Sequence, residues 1–61
     1  MIFTVKDKVG EYYYINPANI VYIKERRSYG LWKIMLISGE AIHTKDEATI
    51  KMILEFLEQQ Q

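Results

Sequence analysis

The stretch EYYYINPANIVYIKERR, residues 11–27, decides how this chain is read. Three consecutive tyrosines, Tyr12, Tyr13 and Tyr14, run into Ile15, and a second β-branched and aromatic set, Ile20, Val21, Tyr22 and Ile23, follows shortly after. Residues of these types favour strands. Between the two sets stands Asn16-Pro17. Proline has no amide hydrogen to give to a ladder and steers the residue before it away from helix, so this dipeptide is a corner between two strands. The stretch closes on Lys24, Arg26 and Arg27. Two readings of that cationic end stand side by side: a binding surface for an anion, or the charged rim of an ordinary packed sheet.

Working outward toward the N-terminus, Ile2 to Lys6 alternates weakly as a first strand and stops at the turn residues Asp7, Lys8 and Gly10, which predicts a hairpin with residues 11–15. Toward the C-terminus, Ser28-Tyr29-Gly30 marks a turn and Leu31 to Ile37 a fourth strand. Ser38-Gly39 is a tight turn, and Glu40 to Thr44 a short fifth strand. The expectation is an antiparallel β-meander of four or five strands over about residues 2–44. Thr44-Lys45-Asp46-Glu47 fits the Ser/Thr-x-x-Glu capping box, in which the threonine oxygen accepts an amide hydrogen three residues on. It predicts a helix over about 45–59. Ile50, Ile53, Leu54 and Leu57 follow the spacing of one helical face, and Met52 and Phe56 widen it to an apolar arc of roughly 200°. The terminal Gln59-Gln60-Gln61 is expected to fray. The fold class is therefore α+β, one domain over residues 1–61, a meander followed by one amphipathic helix.

At 61 residues such a domain buries only about 60% of the surface its unfolded chain exposes, so it calls for further support. With no cysteine, neither a disulfide nor a thiolate metal site supplies it. Association of copies is the remaining common route. The strands point the same way, because both faces read as apolar. Tyr12 and Tyr14 oppose Tyr13 and Ile15; Ile20 and Tyr22 oppose Val21 and Ile23; Trp32, Ile34 and Leu36 oppose Leu31, Met35 and Ile37. One helix covers one face, which leaves the other for a second copy, with Tyr12, Tyr14, Tyr22, Met52 and Phe56 as the expected oligomer interface. Formal net charge is zero, yet residues 1–33 carry +3 and residues 34–61 carry −3, an asymmetry that favours head-to-tail or antiparallel self-association. No basic leader or long apolar run is present, so the expectation is a cytoplasmic protein without membrane insertion.

Over most of its length the chain resembles the small flagellar proteins of the FlbD family. The features that match are the Met1-Ile2 start, Gly10-Glu11, Tyr14-Ile15-Asn16-Pro17, Ile20 and Ile23, the apolar strand ending at Leu36, Gly39 and the capped helix. That resemblance implies a small non-enzymatic protein acting by protein contact in bacterial motility. Residues Asn19 to Leu57, with Ile20-Val21-Tyr22-Ile23-Lys24, Tyr29, Ile34, Leu36 and Gly39-Glu40, are also similar to the first part of LytTR DNA-binding domains. This second resemblance implies promoter binding and carries over no contact residue.

Residues with catalytic potential read as structural. His43, the only histidine, has no thiol to join it in a metal site and reads as a strand-edge residue. Ser28 and Ser38 read as turn formers, Asp46 and Glu47 as acids favoured at a helix start. The three glycines are spread one to a turn and form no phosphate loop. No enzyme activity and no cofactor is expected. The candidate ligand-binding residues are Lys24, Arg26, Arg27, Tyr29, Trp32 and Lys33, because guanidinium groups present forked donors to phosphate and neighbouring rings stack on bases. Two functions follow as expectations. The first is a regulatory or adaptor module working as a homo-oligomer with a protein partner. The alternative is an oligomeric binder of nucleic acid or of a small anionic nucleotide.

Overall fold

The computed structural model describes residues 1–60 and has the α+β architecture, five antiparallel strands followed by one helix. Strands β1 (Phe3–Lys6) and β2 (Tyr12–Ile15) form a hairpin. Asp7 organises its turn: its Oδ1 accepts from the amides of Val9 at 3.0 Å and Glu11 at 2.9 Å. Gly10 completes the turn at φ +91, a backbone conformation that side-chain-bearing residues rarely adopt.

Asn16-Pro17 makes the corner. Asn16 Oδ1 accepts from the Ala18 amide at 2.9 Å, and Pro17 opens a single turn of 3-10 helix, Pro17–Asn19, where its missing amide hydrogen costs nothing. Because of this corner β2 and β3 do not pair, so the meander is interrupted. Strands β3 (Ile20–Arg26), β4 (Leu31–Leu36) and β5 (Ala41–Thr44) form a second, three-stranded sheet in the order β3-β4-β5. The end of the hairpin abuts β5, where Lys8 N donates to the His43 carbonyl at 2.7 Å and Thr44 Oγ1 to the Lys6 carbonyl at 2.6 Å.

The helix α1 (Glu47–Gln59) starts two residues later than the capping box predicts. Asp46 is the cap: its Oδ1 accepts from the Thr49 amide at 3.1 Å and its Oδ2 from the Thr49 hydroxyl at 2.6 Å. Thr44 is engaged elsewhere, since its hydroxyl bonds the Lys6 carbonyl and accepts from Asp46 N at 3.0 Å. A buried strand end outbid the helix for that side chain. Asp46→Ala should therefore cost about 1 kcal/mol of stability, and Asp46→Asn clearly less, in denaturant unfolding; an equal loss in both would contradict the cap. At the other end the helix runs to Gln59 and Gln60 N donates to the Leu57 carbonyl at 3.2 Å; residue 61 lies outside the described residues.

The core is Val5, Ile15, Ile34, Ile42, Ile50 and Ile53, sealed by Phe3, Tyr13, Ile20, Ile23, Trp32, Leu36 and Leu57. Phe3 meets Phe56 edge to face, with ring centres 5.8 Å apart. Ile20 and Ile23 both reach this core because the register shifts between Ile20 and Tyr22, which corrects the simple alternation expected of β3. Val21 and Tyr22 are left outside together. The helix buries Ile50 and Ile53 but leaves both edges of its apolar arc, Met52 and Leu54, exposed. The accessible surface of 4351 Å² is close to the roughly 4200 Å² of a compact monomer of this mass, so shape alone does not demand a partner. No helix is long and apolar enough to cross a membrane among the described residues.

Candidate functional site

The second face of the three-stranded sheet is not apolar throughout, which corrects the expectation of two greasy faces. Pairing register puts Lys24 opposite Lys33 and Lys33 opposite His43, so these three form one row across the strands. On one side of this row lies the pair Arg26 and Leu31, on the other Tyr22, Met35 and Ala41. Side chains two apart on a strand share a face. Tyr22, Lys24, Arg26, Lys33 and His43 therefore stand together, opposite the face that carries Ile34 and Ile42. No carboxylate lies in these rows.

Two aromatic rings stand against cations of this face. Lys33 Nζ lies 5.8 Å from the centre of the Tyr22 ring, and the Arg26 guanidinium carbon lies 4.6 Å from the centre of Tyr29. Tyr29 sits in the 3-10 turn Arg27–Tyr29 at the hairpin tip, closed by Gly30 N donating to the Arg27 carbonyl at 3.1 Å. Partial burial pushes the His43 imidazole below its ordinary value, and the positive charges of Lys8, Arg26 and Lys33 push it further the same way. Tyr13, on the opposite side, is raised by burial and then by the carboxylates of Asp7, Glu11 and Glu40. Charge is thus sorted in space although the chain total is zero.

Of the six candidate ligand residues, Lys24, Arg26, Tyr29 and Lys33 come together. Trp32 does not join them: it lies in the row Glu25, Trp32, Thr44 on the core side, partly buried against the core. Arg27 is also apart, with its side chain 87% exposed and its Nε 3.4 Å from the Glu25 carboxylate. An exposed pair at that distance is worth little. Sequence reasoning missed His43 as a neighbour of Lys33 and placed Tyr22 in the oligomer interface alone. Counting outward from Ser28-Tyr29 pairs Lys33 with Lys24, but counting from a two-residue Ser38-Gly39 turn pairs Lys33 with Thr44; the loop is one residue longer, closed by Leu36 N donating to the Glu40 carbonyl, and that sets His43 opposite Lys33.

The expected interface residues fall in three places. Tyr12 and Tyr14 lie on the open face of the hairpin, with Lys6 Nζ 5.8 Å from the Tyr12 ring. Tyr22 belongs to the cationic face, and Met52 and Phe56 to the helix. Phe56 separates two shallow grooves, one bounded by Met1, Phe3 and Met52, the other by Met1, Pro17 and Leu57. Among the described residues no group of three or more histidine, cysteine or acidic side chains is arranged to hold a metal. Compared with protein-family models, curated proteins and solved structures, the chain matches none of them.

Proposed function

We propose that this protein is a non-enzymatic regulatory or adaptor module of the bacterial or phage-infected cytoplasm, working through protein contacts as a homo-oligomer. One observation carries the reading: Met1 and Met52, which border one groove with Phe3 and Phe56, stay exposed beside a helix whose Ile50 and Ile53 are fully buried. Adjacent exposed apolar side chains of this size mark contact surfaces more than free solvent-facing ones. Burying them between copies would also supply the stability that so small a core lacks. A repeated surface of this kind then serves a protein partner.

Light scattering tests it. The wild-type chain should run at a multiple of 7.3 kDa, and Met52→Glu, which places a charge in the contact at an exposed helical position, should return it to the mass of one chain with its circular dichroism unchanged. A wild-type protein that runs as one chain at micromolar concentration overturns the proposal. A second reading, binding of a phosphate-bearing ligand, is favoured by the shared, carboxylate-free face of Lys24, Arg26 and Lys33.

A further inference from the structure

The open face of the three-stranded sheet pairs each of two rings with a cation. Arg26 covers one side of Tyr29 and Lys33 one side of Tyr22, while the tyrosines themselves remain 64% and 42% exposed. Each pair is a unit with two functions: a cation for a phosphate, and a ring with a free side on which a base stacks. Lys24, which is exposed, and Lys33 face each other directly across two strands, an arrangement of like charges that costs stability unless an anion lies between them. With strands about 4.8 Å apart, the row Lys24, Lys33, His43 spans about 10 Å.

We infer that this face binds single-stranded nucleic acid, its phosphates lying along Lys24, Lys33 and Arg26 and two bases stacking on Tyr22 and Tyr29. The inference rests on the phosphate-binding reading and not on self-assembly. A duplex fits less well, because its bases are stacked on one another and offer no free face to a tyrosine, whereas a single strand has bases that splay out. A free nucleotide would use one cation and one ring, leaving the second pair idle. The formal neutrality of the chain is no obstacle, since seven of the eight acids lie elsewhere, around Tyr13 and at or along α1, and Glu25 shares the core-side row with Trp32.

Fluorescence anisotropy with a short labelled oligothymidylate tests this. Binding should appear at low salt and weaken with a slope of about −2 in log affinity against log salt, the value for three phosphate contacts on a single strand. Lys24→Glu should lower affinity at least tenfold. Tyr29→Ala should lower it by roughly tenfold while leaving the salt slope unchanged, which separates stacking from charge. Nuclear magnetic resonance should show the His43 pKa rising when the strand is bound, because phosphate offsets the surrounding cations. No binding at low salt overturns the inference, as does binding that Lys24→Glu leaves intact in a protein with native circular dichroism. Equal affinity for inorganic polyphosphate would overturn it too while leaving the phosphate-binding reading standing. Loss of oligomer mass in Lys24→Glu without any strand binding would assign the face to a second copy.

Discussion

Ile34→Ala should cost about 3 kcal/mol, at least a third of a total that for a chain of this length is roughly 3–9 kcal/mol. Ile34 is fully buried at the centre of the middle strand, flanked by Ile23 on one side and Ile42 on the other. Truncation there loses the transfer free energy of three carbons and leaves a cavity that a rigid sheet cannot close. Its neighbour Met35 points to the cationic face and is only half-buried. Met35→Ala should cost under about 1 kcal/mol, because the flexible thioether chain leaves a space that solvent fills. Urea unfolding of the two variants reads the difference directly. Equal losses would mean that the two faces of β4 are wrongly assigned.

Thr44→Val should cost about 1–3 kcal/mol although it keeps side-chain volume. The hydroxyl of Thr44, fully buried, donates to the Lys6 carbonyl at 2.6 Å and accepts from Asp46 N at 3.0 Å. It joins three pieces of the molecule: the first hairpin, the last strand of the second sheet and the residue that caps the helix. Valine would take the partner from a carbonyl and an amide that are both part-buried, and the penalty for leaving such groups unpaired exceeds the worth of the bond itself. Thr44→Ser, which keeps the oxygen, should recover most of the loss. A valine variant as stable as the wild type in urea would show that the link between the two sheets does not depend on this side chain.

Much of the local structure was legible along the chain. Asn16-Pro17, Gly10, Gly30 and Gly39 punctuate it where turns occur, because each position demands a backbone conformation or a missing donor that few residues supply. The i, i+3 and i+7 recurrence of Ile50, Ile53 and Leu57 announced the helix and its inward side. Three features were not legible. The start of the helix moved to Asp46 because the buried Thr44 found a partner 38 residues away, which no local pattern reveals. The bulge in β3 turned Tyr22 outward, since a register shift leaves no mark on a run of strand-forming residues. The candidate hairpin split, with Trp32 drawn to the core and Arg27 to Glu25, because neighbours on a strand point to opposite faces.

By itself the sequence determined the class of the fold, the order of its elements and the side on which the helix packs, since these follow from turn chemistry and from the period of apolar residues. Only the tertiary structure decided which charges share a surface. Lys24, Lys33 and His43 come from three strands, and their meeting depends on pairing register, where a shift of one residue would send every side chain to the other face.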